Sequence, residues 1–345
     1  MNTYLLRLCS YHQPRRIRVI ENILANRKTV ANLFWAKEYG ILEWLGARRQ
    51  ATRDQLDFEF RELQEAGLIT INEDNEAQLT VKGVSFQENQ PPVYEPRFFE
   101  WFWLANTKQA FARFLLGFQV ISEFSYHNRN YVPIASTYAE QHIVKAWFRR
   151  VFSPQLVSQA YSEMELFIGS LDGEDVKLAQ AMVNLLIGHD QAGWTPDQLS
   201  EQLKLPIGDI LVITHDLALA VCAFARATNG PLAQLIKPIL QDSPLSSSTI
   251  RTMEMYRSGM EIDDIVSRRR LKISTIREHV MTTAILLPDS LDWDRLLPSA
   301  IREQLGEKYH GDVSQWQFEN WTDDMNADFF YFRLYQIYQG SHENG

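Results

Sequence analysis

The sequence predicts a mainly α protein built from a winged helix, a central helical domain and a C-terminal helix-turn-helix. Three observations carry that reading. Apolar residues recur at helical spacing along most of the 345-residue chain. A clear hairpin signal stands between residues 68 and 83. A late segment, 246–287, alternates capping residues, a glycine stop and short apolar stripes in the order helix, short helix, turn, helix.

The winged helix is expected over residues 1–90. Ile17, Ile20, Ile23 and Leu24 form one helical stripe. Thr29 caps a second helix that runs through Leu33, Phe34 and Tyr39 to Gly40. A third begins at Thr52, carries Leu56, Phe60 and Leu63 on one face and stops at Gly67. LITI, a polar NEDNE turn and AQLTV before Gly83 then read as two strands. The prolines Pro91, Pro92 and Pro96 mark a linker.

The central domain is expected over 97–240. Phe98 to Phe118 is rich in aromatics, and Arg113, Arg129, Arg149 and Arg150 follow among further apolar residues. Such a mixture suits stacking of single-stranded bases. Core packing is the expected use, because the spacing puts most rings on one face. Near 174–226 lies a helix-turn-helix-like unit in which Thr195 caps and Pro196 takes the first helical position. Asp209 and Asp216 would sit on its second long helix, and carboxylates repel phosphate. A structural or protein-binding role follows.

Residues 244–340 carry the functional expectation. Ser246 to Ser248 cap a helix that ends at Gly259, a left-handed stop. Ile262, Ile265 and Val266 face inward on a short helix, and Ser274 and Thr275 begin a longer one with Ile276, Val280, Thr283, Ala284 and Leu287 toward the core. The first turn of that helix offers N–H groups and hydroxyls to phosphate while its outer face enters a major groove. Lys272, Ser274, Thr275, Arg277, Glu278 and Met281 are expected on the outer face. Arg277 is the first choice to read a base, since its fork matches guanine O6 and N7. Arg268, Arg269, Arg270 and Lys272 make a cationic turn suited to backbone phosphates, with pairing to Glu261, Asp263 or Asp264 as the alternative. Arg48, Arg49 and Arg53 are further phosphate candidates at the third N-terminal helix.

The run from Gly259 through Ile265, Val266, Arg269, Leu271, Thr275 and Ile276 to His279 resembles the helix-turn-helix domain at the C-terminus of many bacterial RecQ DNA helicases. The stretch ENILANRKTVANLFWAKEYGILEWLG and the chain length resemble a stand-alone bacterial family typically encoded beside such a helicase. The resemblance implies a RecQ-type helicase as partner and work in repair or recombination. The family pattern has glycine where this chain has Arg270, which points to a regular turn there.

Charge fits a protein with two faces. The chain is −9 overall, but residues 1–53 hold ten Lys/Arg against three acids, and residues 289–328 hold ten acids against three bases. Trp293, Trp316, Phe318 and Trp321 lie among those acids, either as interface anchors or as core residues closing the last helices. Cys9 and Cys222 are far apart, so neither a disulfide framework nor a cysteine zinc site is expected. No targeting segment stands out, and charge interrupts the apolar runs before the ~18 residues a membrane helix needs. A cytoplasmic protein without membrane contact is expected.

No phosphate loop, dinucleotide fingerprint or HExxH run occurs. Two His-Asp pairs, His189-Asp190 and His215-Asp216, with His142 upstream, form the one enzymatic hint, of the metal-dependent phosphohydrolase kind. Capping or surface roles are the expected use, with no cofactor and no metal. The leading expectation is a non-catalytic DNA-binding accessory of a RecQ-type helicase; a transcriptional regulator and a DNA-free interaction scaffold stand beside it.

Overall fold

The computed structural model describes residues 2–89, 94–134, 137–318 and 329–342. Pro91, Pro92 and Trp321 lie outside them. In chain order the helices begin with α1 (Ile17–Leu24), α2 (Val30–Glu38), α3 (Arg53–Glu65), α4 (Val81–Asn89), α5 (Thr107–Ser125) and α6 (Tyr138–Val151). Then come α7 (Leu156–Glu174), α8 (Val176–Leu185), α9 (Pro196–Leu203), α10 (Ile207–Ala227) and α11 (Pro231–Ile236). The last are α12 (Ser247–Arg257), α13 (Ile262–Arg269), α14 (Ile273–Leu286), α15 (Trp293–Leu296), α16 (Ser299–Lys308) and α17 (Phe329–His342). Three short strands, β1 (Arg15–Arg16), β2 (Ile69–Ile71) and β3 (Glu76–Leu79), form one antiparallel sheet in the order β1-β3-β2. The protein is mainly helical and ends in a helix-turn-helix.

The chain divides into two compact units: Met1–Arg27 with Glu43–Asp242, and Lys28–Leu42 with Ser243–Gly345. The expected segments 1–90 and 97–240 thus fall largely in one body, and the helix read as the middle member of the winged helix falls in the other. Thr29 caps α2 by accepting from Asn32 N–H, and Gly40 closes it at φ 64°. Its apolar residues Leu33, Phe34 and Ala36 are buried, and the helix packs on α14 and touches α17 through Arg333 and Ser341. The spacing located the helix; which core it enters is a tertiary choice.

In the first unit, the stripe Ile17, Ile20, Ile23 and Leu24 of α1 is fully buried. Thr52 and Gln55 form a reciprocal capping box at the start of α3, and Gly67 ends it at φ 70°. The hairpin follows, with Asn75 in the left-handed region at its turn, and α4 comes directly after it. Gly83 lies so close to the Leu68 carbonyl that a Cβ would sit 2.1 Å from its oxygen.

The helical core of this unit gathers α5, α7, α10 and α11. Gly117 lets α5 approach Leu235, and Trp147 of α6 donates to the Pro231 carbonyl at 2.8 Å. The Glu163 carboxylate of α7 accepts from the Leu232 and Ala233 N–H groups, both at 2.8 Å. Helix α10 has the length and mean hydropathy of a membrane span, although Asp209 and Asp216 interrupt its apolar run. Ile210, Ile213, Leu217, Leu219 and Cys222 on it are fully buried, so it is the central core helix of this unit.

In the second unit α12, α13 and α14 pack together, and α15 to α17 follow. Trp316 stacks on Tyr335 at 5.6 Å, Phe318 meets Phe332 at 5.4 Å, and Trp293 meets Tyr338 edge-on at 5.4 Å. These three aromatics of the acidic stretch therefore pack half-buried against the last helix.

Candidate nucleic-acid interface

Ser246 caps α12 by accepting from Thr249 N–H, and Gly259 takes φ 96° after its end. Met253, Ile265, Ile276, Val280 and Ala284 are all at 0% exposure, so α12 and α13 hold α14 by its inner face. A polar brace fixes the same junction. Arg269 donates to the Ser248 carbonyl at 2.7 Å, to Ser248 Oγ at 3.0 Å and to the Thr252 hydroxyl. That hydroxyl also lies 2.8 Å from His279 Nδ1. Burial and the nearby Arg269 charge lower the His279 pKa, which keeps the ring neutral and able to accept from Thr252. Thr252 was not singled out by the sequence; the signal for it was His279 in the motif, without its partner.

Arg269 is thus a structural tie and not a free phosphate contact, a correction to its expected role. Arg270 is exposed and takes φ 53°, ψ 42°, so the turn is left-handed and not regular as its side chain suggested. Lys272 is the N-cap of α14 in place of Ser274, and no side chain caps the helix. Ser274 is exposed and Thr275 half-buried, both in the first turn. Arg268, Arg270 and Lys272 are exposed and make no ion pair among the described residues; Glu261 pairs with Arg295 at 2.8 Å instead.

Two other expectations change. Met281 is 7% exposed and belongs to the core, because it flanks the inner face between buried Ala284 and Ile285. Arg277 is half-buried with its guanidinium 5.1 Å from the Phe330 ring centre, a cation–π contact with α17. The outer surface of α14 is therefore led by its N-terminal turn: Arg268, Arg270, Lys272, Ile273 and Ser274, with Glu278 further along.

In the other unit, Arg48 is buried and forms an ion pair with Glu59 at 2.9 Å, while both also bond the Tyr4 hydroxyl. It is a core residue and not a phosphate contact. Arg49 is exposed and donates to Asn106 at 3.0 Å. Arg53 is exposed and stands 3.8 Å from Glu21.

The turn at Arg270 occurs a second time in the chain. Helix α9 ends at Lys204, φ 54°, ψ 41°, and Leu205-Pro206 lead into α10, as Leu271-Lys272 lead into α14. Leu199 and Ile210 are buried as are Ile265 and Ile276. In this first copy the N-terminal turn is already occupied. Asn2 Oδ1 accepts from Gly208 N–H at 3.0 Å, and a Cβ at Gly208 would meet that oxygen at 2.3 Å. Asp209 is buried here, and Asp216 accepts from the Tyr94 hydroxyl and from the Arg97 and Phe98 N–H groups at 2.7 and 2.8 Å.

The His-Asp pairs are dispersed in role. His189 and Asp190 lie in a turn and not on a helix; His189 Nδ1 is 2.9 Å from Glu123. His215 is half-buried with its Nε2 out of solvent, and desolvation pushes its pKa down to about 3; its neighbour Asp216 makes the bonds just described. Among the described residues no group of His, Cys, Asp and Glu could hold a metal ion.

Residues 248–336 match the model of a helix-turn-helix domain family, so this part of the chain is a helix-turn-helix domain, which supports DNA as its partner. Protein YpbB of Bacillus subtilis (strain 168) is similar at 24% identity over 172 residues, 49% of this chain and 48% of that protein. The chain spans about half the length of this curated relative. No solved structure matches significantly.

Proposed function

We propose that this protein is a non-catalytic, cytoplasmic DNA-binding accessory of a RecQ-type helicase, which grips duplex DNA at the N-terminal turn of α14. The observation that carries it is the set of exposed, unpaired cations Arg268, Arg270 and Lys272 around an uncapped helix start. Backbone N–H groups and cations together suit phosphate, and Ser274 adds a hydroxyl. The non-catalytic part is supported by the burial of Asp216 in α10 and by its bonding to backbone. The helicase part is supported by the motif from Gly259 to His279 and its resemblance to the helicase-borne domain.

Purified full-length protein is titrated with duplex, forked and single-stranded DNA at two salt concentrations. Duplex or fork binding that weakens with salt, and weakens further in Arg268→Ala with Lys272→Ala, is expected. Unchanged binding in that variant would remove α14 from the interface. A nuclease-treated pull-down with the helicase of the same organism tests the partnership, and failure to associate at micromolar concentration would leave a transcriptional regulator as the reading.

A further inference from the structure

Helix α6 shows one side to its own unit and leaves the other bare. Val144 and Trp147 are buried, and Glu140 is bonded to Arg113 at 2.7 Å and to Gln109. On the opposite side Tyr138, His142, Lys145 and Arg149 follow one another at intervals of four, three and four residues, Phe152 comes just after the helix, and all five are exposed. Tyr138 is 85% exposed and Phe152 58%. Lys145, Arg149, Arg150 and, before the helix, Arg129 make no ion pair among the described residues.

This cationic surface belongs to a chain of net charge −9. Between Tyr126 and Phe152 Glu140 is the one acid in the sequence, and Arg113 neutralises it. Phe152 continues into a ring cluster with Phe124 at 5.6 Å and Phe148 at 6.0 Å. Beyond Arg150 opens a cleft of about 730 Å³. Gln159, Ser162, Asn229 and Gln234 give it amides and a hydroxyl, and Leu166 and Phe224 give it apolar wall. Glu163 also lines it, but its two oxygens are taken by the Leu232 and Ala233 N–H groups.

We infer that the outward face of α6, with the cleft at Arg150 and Val151 beside its C-terminal end, is a binding surface for single-stranded nucleic acid. Two cations, Lys145 and Arg149, stand between exposed rings on one stripe, which is how a sugar–phosphate chain and its bases are engaged together. From Tyr138 to Phe152 the stripe runs about 20 Å, enough for roughly six stacked nucleotides. An amphipathic helix that enters a lipid surface instead separates its rings from its cations onto opposite faces. The cleft's Gln159 amide and Ser162 hydroxyl suit the hydrogen-bonding edge of a base and have no counterpart in lipid tails. This surface is independent of α14 and of the duplex reading.

The test uses the full-length chain and a labelled oligothymidylate of about 20 nucleotides, against an abasic strand of equal length and against phosphatidylserine vesicles. The oligothymidylate is expected to bind at least about tenfold more tightly than the abasic strand. Lys145→Glu with Arg149→Glu should weaken it by about tenfold or more and lower its salt slope by roughly 0.7 per lost contact. Tyr138→Ala, at a site too exposed to disturb folding, should weaken the oligothymidylate several-fold and leave duplex binding within about twofold. Lys272→Glu should do the reverse. Equal affinity for both strands, indifference to the charge reversals, or tighter binding to vesicles would each overturn the proposal.

Discussion

The Arg277 guanidinium rests 5.1 Å from the centre of the Phe330 ring, so the arginine best placed by sequence to read a base is engaged with the last helix of its own unit. Its Nε is fully buried. Arg277→Ala should therefore cost about 1–2 kcal/mol of stability in the absence of DNA, through the lost ring contact and the lost packing of its stem. Urea unfolding of the variant measures it. Weakened DNA binding with unaltered stability would return Arg277 to base reading.

Arg270 holds a left-handed conformation that glycine adopts without a Cβ penalty. Arg270→Gly should stabilise the protein by about 0.5–1 kcal/mol while removing one exposed cation beside α14. Duplex affinity should fall and the salt slope should drop by about one contact. Melting and binding measured on the same preparation must move in opposite directions.

Arg48 and Glu59 are 7% and 9% exposed in their side chains. Arg48→Ala leaves the carboxylate buried without its ion-pair partner, and a loss of about 3–5 kcal/mol is expected. Arg48→Met with Glu59→Leu should recover most of it. If the single variant melts like the parent and only DNA binding suffers, the side chain serves phosphate after all.

Burial raises the Asp209 pKa from 3.8 to about 6, partly offset by the charges of Arg7 and Lys177. Between about pH 6 and 4 the folded protein takes up a proton that the unfolded chain does not, so stability rises as pH falls through that window. Above it the full penalty of the buried charge is present. Asp209→Asn should gain roughly 2–3 kcal/mol at pH 8 and close to nothing at pH 4. Asp216 is shifted in the same direction, so the informative quantity is the difference between variant and parent. An equal gain at both pH values would show that charge is not the cause.

Local rules made most of the helices legible. Thr29, Thr52, Thr195 and Ser246 all cap the helices they were expected to start, and Gly40, Gly67 and Gly259 all take positive φ at the expected stops. These features depend on a few neighbouring residues, and so the chain order reveals them. The misplaced residues depend on partners far away. Arg48 reads as a surface cation until Glu59 and Tyr4 close over it, and Arg277 reads as free until Phe330 arrives. Met281 stands at the edge of the helical stripe, where one step of rotation decides between core and surface. The second left-handed turn at Lys204 had no glycine to announce it, although Leu205 and Ile210 repeat the apolar pattern of Leu271 and Ile276.

The membership of α2 in the C-terminal unit has a consequence for synthesis. Its Lys37 bonds Ser341 at 2.8 Å and its Phe34 ring lies 4.0 Å from Arg333. The ribosome delivers α2 some three hundred residues before those partners. At roughly 5–20 residues per second, its apolar side waits on the order of fifteen seconds or more with nothing of its own to cover it. An apolar helix left waiting for that long is expected to stay open to other apolar surfaces until its partners arrive. A prematurely terminated product keeps that side bare, while a gene piece that starts at residue 243 yields α14 and α17 with the complementary side uncovered. The unit is therefore complete only once residue 341 has been made, and until then one nine-residue helix stays uncovered.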